Sequence, residues 1–379
     1  MLKKNNSSIL LIISFFIFVG YYFYNFDTYD LYSNDFRKFY KPLGLIIVEN
    51  FLNLSFDNIS YLDFYFIPKL ITGFFLKITS SEINFSILSN IANIFALFFS
   101  IYFYLKNFPL RDKNKITLIF LIIFFSYVSN WIWVFWKLAD IYFLFIFSIV
   151  FFFIEKGIRE KKSILIFNAI IFSIISLITK PQGIIVLPFL ILGLFFTYVY
   201  KNHFFKIIIV LFFIYILIFP LLIFLFIKFD IDNFAVNSFL TGYISWNIKY
   251  TYNDFIDQFS LNKNSINLLI YFYLLILKKV VYLFTFVRET YSFKHNLFLT
   301  FYISIIYFFL IINFKYLIKK HNLFLKLTIL IIFLSTILYC SLFTSSEPNR
   351  FQLFYLVPTY ILVSISIEKF IRDVRFIPN

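Results

Sequence analysis

The sequence predicts an all-α protein: a multi-pass transmembrane helical bundle of about ten spans, with two long extracytoplasmic loops carrying interfacial helices. Three observations predict it. Hydrophobic residues make up 61% of the chain and charged ones 14%, with a mean hydropathy of +0.87, which excludes a soluble domain with a polar surface. Apolar runs recur at nearly the length that crosses a bilayer. Lys and Arg, in excess enough for a net charge of +15, gather in short joints between those runs, as a topology signal does and a nucleic-acid surface does not.

The apolar runs fall at 9–24, 83–105, 116–130, 138–154, 164–178, 184–200, 207–227, 297–314, 327–343 and 353–367. Each approaches the ~20 residues that a ~30 Å hydrocarbon core asks of a helix, the element that satisfies its own backbone there. The first run is expected to remain as a span, because GYYFYNF after it offers no small-residue cleavage site. Residues 266–287 are apolar enough to cross, yet Lys278 and Lys279 interrupt them, and a crossing there would turn the joint at 315–326 outward. They are read as a helix lying in the outer interface, its lysines snorkelling to lipid headgroups.

Orientation follows from the short joints. With the N-terminus inside, nineteen Lys and Arg residues fall on the cytoplasmic side, at 3–4, 106–115, 156–162, 201–206, 315–326 and 369–375, against Lys137, Lys180 and Arg350 in the short outer joints. Both termini are then cytoplasmic, in a cell inner membrane, and 1–379 is one integral-membrane domain with outer loops at 25–82 and 228–296. Of 19 acidic residues only Asp112, Glu155, Glu160, Glu368 and Asp373 lie on the cytoplasmic side, so function is expected on the outer face. Seven glycines form no phosphate-cradling loop, and an activated substrate must arrive already exported, which points to a lipid-linked donor. His203, His295 and His321 are far apart and Cys340 stands alone in an apolar run, so no metal site, disulfide or cofactor is expected and no divalent ion is indicated. The 62 Phe, with abundant Ile, Asn and Lys, are read as the mark of AT-rich codons and as lipid-facing bulk, and none is assigned a function on count alone.

Four stretches carry chemistry. NFDTYDLYSNDFRKFYKP, at 25–42, offers Asp27, Asp30 and Asp35, followed by Arg37, Lys38 and Tyr40: a carboxylate there can take a hydroxyl proton while adjacent cations hold an anionic lipid head. The same residues also suit an ordinary solvated loop. In ITKPQGIIVLP, at 178–188, Lys180 and Gln182 stand beside Pro181 and Gly183; Lys180 is either an interfacial anchor or a cation on a broken helix end that meets a phosphate. SNWIWVFWKLADIYF carries three Trp of an interfacial belt together with Lys137 and Asp140. In SSEPNRFQLFYLVP, Arg350 either grips a phosphate through its planar fork or closes a turn with Glu347.

NDFRKFY at 34–40, TKPQGIIVLP at 179–188 and EPNRFQLFYLVP at 347–358 resemble, in order, the acidic first-loop motif, the Lys-Pro-Gln segment and the late Glu/Arg-aromatic-Pro segment of the GT-C superfamily. These are integral-membrane glycosyltransferases that use polyprenyl-phosphate sugars, here of the mannosyltransferase-like branch. The resemblance spans nearly the whole chain in layout through short motifs. It implies an inverting hexosyl transfer from a polyprenyl-phosphate sugar to a hydroxyl of a glycan or glycolipid acceptor, at the outer face and within the lipid bilayer, without nucleic acid. Asp35 would be the base, with Asp27 and Asp30 competing for the role, and Lys180 and Arg350 would hold the donor phosphate. The chain departs from the oligosaccharyltransferase relatives in that no large soluble C-terminal domain follows. The alternative functions are a lipid-linked glycan flippase or transporter, which calls for polar residues at mid-membrane depth, and an O-antigen-type polymerase, which calls for paired outer arginines.

Overall fold

The computed structural model describes residues 6–25, 37, 40–52, 65–79, 81–106, 108, 110–127, 130–136, 139–198, 203–229, 266–285, 292–342 and 348–375. Its elements are α1 (Asn6–Tyr24), α2 (Lys41–Leu52), α3 (Phe66–Ile78), α4 (Glu82–Lys106), α5 (Leu110–Phe125), α6 (Ala139–Glu160), α7 (Ser163–Leu177), α8 (Val186–Tyr198), α9 (Phe204–Lys228), α10 (Ile266–Thr285), α11 (Phe293–Ile312), α12 (Phe314–Lys320), α13 (Asn322–Leu342) and α14 (Pro348–Arg375), with 3-10 turns at Ile132–Trp136 and Pro181–Ile185. Among the described residues the fold is all-helical, and eight helices are long and apolar enough to cross a membrane. The protein is multi-pass by length and composition. All ten apolar runs fall on helices: seven on long ones, and three on the shorter α5, α7 and α8. The eighth long helix is α10, the segment assigned from sequence to the interface.

Side-chain contacts fix the direction of the helices. Phe108, in the α4–α5 joint, packs its ring 5.5 Å from His321 and 4.7 Å from Phe324; Arg372 reaches the Tyr316 hydroxyl at 3.4 Å; Lys326 lies 5.6 Å over Phe204; and Lys106 and Lys156 both face the Phe152 ring. The joints at 106–115, 156–162, 201–206, 315–326 and 369–375 thus meet at one end of the bundle. α11 and α14 run parallel, since Tyr302 pairs with Tyr360 and Phe309 with Phe370.

Two helices carry an internal proline, Pro220 in α9 and Pro358 in α14. A proline lacks the N–H that would bond the carbonyl four residues back, so Pro358 strands the carbonyl of Phe354. The buried Tyr104 hydroxyl donates to it at 3.2 Å, which re-satisfies the backbone from a neighbouring helix.

Lys279 of α10 differs from expectation, and the side chain of Lys278 lies outside the described residues. Lys279 is buried rather than snorkelling, and its Nζ donates to the carbonyl of Cys340 at 3.2 Å. Cys340 lies in the last turn of α13, where carbonyls have no helical donor and the helix dipole is negative, so an ammonium is held there in place of the missing N–H. Along α10 the partner changes turn by turn: Tyr273 donates to Leu217 of α9 at 2.7 Å, Lys279 to α13, and Phe284 accepts from Tyr307 of α11 at 2.7 Å. The helix passes across its neighbours instead of following one.

Between α1 and α4, α2 and α3 form a hairpin closed backbone to backbone. A Cβ on Gly73 would stand 2.0 Å from the carbonyl oxygen of Gly44, and one on Gly44 would stand 2.5 Å from that of Lys69. No other residue fits either place.

Candidate functional site

The end of the bundle opposite the lysine-rich joints holds an ion pair. Asp140 lies in the first turn of α6 and Lys180 follows α7; their side chains are 2% and 3% exposed and in direct contact. The α6–α7 hairpin brings them together. It turns at Lys161, whose φ of 53° places it in the left-handed region that ends many helices, and Lys162 N–H closes on the Gly157 carbonyl at 3.1 Å. Two charges taken out of water demand good geometry and partners, and burial to this degree does not fit a lysine anchored in headgroups.

Local backbone chemistry aims Lys180. The Thr179 and Lys180 amides both return to the Ser176 carbonyl, at 3.2 and 3.3 Å. Lys180 is extended and Pro181 opens the 3-10 turn, a position that suits a residue without an N–H. Gly183 donates back to Lys180 at 2.8 Å, and a Cβ on Gly183 would lie 2.2 Å from the Ser176 oxygen. Helix α7 therefore ends ahead of Lys180, which stands in the turn before the next helix. Gln182 is buried in the same turn, its Oε1 without a partner among the described residues.

The other two stretches reach the same place. Tyr40 is buried in a cluster with Phe85 and Ala139, the residue before Asp140, and its ring lies 5.8 Å from Tyr65. The Ile67 amide, in the first turn of α3, donates to Ile178 at 3.1 Å, which docks the loop-1 hairpin on the Lys180 turn. Phe354, one turn beyond Arg350, packs 5.3 Å from Phe143, one turn beyond Asp140. Pro348 opens α14, with proline where its missing N–H costs nothing, and the backbone of Arg350 lies in that first turn. Three segments distant in sequence converge around Asp140.

Arg37 is exposed. Asp27, Asp30, Asp35, Lys38, Lys137 and Glu347, and the side chain of Arg350, lie outside the described residues. Trp131 is buried among aromatic rings, 5.2 Å from Phe18 and 6.3 Å from Phe135, which is a packing role.

Sequence reasoning missed a buried cation and a polar stripe. Lys69 is buried on α3, two residues after Ile67, whose amide bonds Ile178. On α4, Ser86, Ser89, Asn90 and Asn93 are buried. Ser89 and Tyr142 are hydrogen-bonded, Asn90 donates to the Tyr22 hydroxyl at 3.0 Å and Asn93 to the Val134 carbonyl at 2.8 Å. The signal was present in SEINFSILSNIANIF, whose Ser and Asn recur at three- and four-residue steps, one face of a helix. Among the described residues no three His, Cys, Asp or Glu gather as a metal site.

The chain matches no protein-family model, no curated protein and no solved structure. What the arrangement can do follows from its chemistry alone. An ammonium fixed at a broken helix end can stabilise a departing phosphate, and a carboxylate beside it holds that ammonium in place.

Proposed function

We propose that the protein is an inverting glycosyltransferase that moves a sugar from a polyprenyl-phosphate donor to the hydroxyl of a glycan or glycolipid acceptor at the outer face of a cell inner membrane. The observation that carries the proposal is the convergence of the first loop, the Lys180 turn and the start of α14 on a buried Asp140–Lys180 pair, at the end of the bundle away from the lysine-rich joints. By the positive-inside rule that end is extracytoplasmic, with both termini inside and ten crossings. α10 then enters and leaves on the outer side, in keeping with its path across α9, α13 and α11.

In this mechanism an acceptor hydroxyl attacks the anomeric carbon as the bond to the phosphate oxygen breaks. Asp35 takes the hydroxyl proton, and the polyprenyl phosphate leaves with its charge met by Lys180 and Arg350. One displacement inverts the anomeric centre, and a phosphate leaves without a general acid. Asp140 is a positioning residue: it holds the Lys180 ammonium charged in a dry site.

The test is transfer itself. Membranes carrying the protein are incubated with radiolabelled polyprenyl-phosphate mannose and polyprenyl-phosphate glucose, and glycan and glycolipid fractions are counted. Label in an acceptor fraction that depends on the protein is the expected result; label that crosses the membrane on an unchanged lipid would instead make the protein a flippase.

A further inference from the structure

We propose that the groove between the first half of α1 and the last half of α4 binds one acyl chain of an anionic phospholipid, whose phosphate sits between Lys106 and Lys113. The groove has a volume of about 470 Å³, within the ~300–1,000 Å³ usual for ligand sites. Its floor is the buried Leu11 and Phe98; Ile12, Phe16 and Phe95 form walls that stay exposed. Tyr102 closes it at the lysine-rich end of the bundle, and there the chemistry changes. Lys106 lies 5.5 Å and Lys113 5.8 Å from the centre of the Tyr102 ring, so two ammoniums gather at the ring that ends the apolar slot.

Lys113 is buried, and among the described residues neither ammonium has a carboxylate partner. A buried cation is costly without a counter-ion, and two side by side repel, so an anion at this end of the slot is favoured. An apolar helix of another protein would cover the walls and leave the charges unmet. A free phosphate would meet the charges without using the slot. A chain that carries a phosphate at its end does both, and anionic headgroups attract lysines at the membrane surface. This site is separate from the Asp140–Lys180 centre, at the other end of the bundle.

The test is native mass spectrometry of the full-length protein released from nanodiscs of equal phosphatidylglycerol and phosphatidylcholine. Wild type is expected to retain one phosphatidylglycerol in preference to phosphatidylcholine. Lys106→Gln/Lys113→Gln should lower that preference by roughly tenfold or more, and Ile12→Trp, which fills the slot, should lower occupancy by either lipid. Ile171→Trp, on an exposed face of α7, controls for an added ring and should match wild type, with melting temperatures checking that each variant is folded. Equal retention of the two lipids by wild type overturns the proposal, as does an undiminished preference in the folded double lysine variant. Displacement of the retained lipid by glycerol 3-phosphate would also overturn it, because the site would then read phosphate without a chain.

Discussion

Asp140 and Lys180 meet as a buried pair of opposite charge. Removing one partner of a buried pair leaves an uncompensated charge and costs about 3–5 kcal/mol, whereas replacing both with apolar groups of similar size is close to neutral. We predict that Asp140→Asn and Lys180→Met each lower thermal stability in detergent, and that Asp140→Leu/Lys180→Met restores it while transfer stays absent. Recovery of transfer in the double variant would make the pair structural. Asp35→Asn keeps size and loses proton affinity, so transfer should fall by roughly 10² or more at normal insertion; collapse in Asp30→Asn or Asp27→Asn instead would move the role to that neighbour. For Arg350, a lysine keeps the charge without the two parallel hydrogen bonds. Arg350→Lys should therefore fail nearly as badly as Arg350→Ala in donor affinity and in rate. A near-normal Arg350→Lys, with Glu347→Gln as harmful as Arg350→Ala, would assign the stretch to closing a turn. Lys180 and Asp140 stood out in the sequence because a charge beside an apolar run needs a reason, but their partnership across 40 residues was not legible. It depends on the hairpin returning to its starting end, and a one-dimensional pattern gives the ends of helices and not which of them meet.

At the scale of elements, Pro358 and Tyr104 are coupled. Tyr104→Phe leaves the Phe354 carbonyl buried and unpaired, at about 1–3 kcal/mol. Pro358→Ala restores an N–H four residues on, so the loss from Tyr104→Phe should be smaller in the Pro358→Ala background. A double-mutant cycle on unfolding free energy measures this, and strict additivity would show that the two are independent. All ten apolar runs were legible as helices because hydropathy and length suffice in lipid. The loop-1 hairpin of α2 and α3 was legible only as an interfacial tendency. Its pairing rests on two glycines 29 positions apart, Gly44 and Gly73, and glycine marks close approach without naming its partner. The sequence points Lys279 to lipid headgroups for a similar reason: the carbonyl that holds it belongs to α13, 61 residues away.

The whole molecule sorts its charges by end, and its orientation is testable by chemistry from one side. In a Cys340→Ala background we predict that cysteines at Ser33 and Ser346 react with an impermeant thiol reagent added outside intact cells, while one at Ser163 does not. Protection of Ser33 with labelling of Ser163 would reverse the orientation and move the candidate site to the cytoplasm. The pairing of Asp140 with Lys180 also bears on how the chain is made. Asp140 leaves the ribosome 40 residues ahead of its counter-ion, so α6 meets the insertion machinery carrying an unneutralised acid on its leading turn. The lysine that pairs with that acid arrives only with the second helix of the hairpin, so the order of synthesis separates the two charges in time.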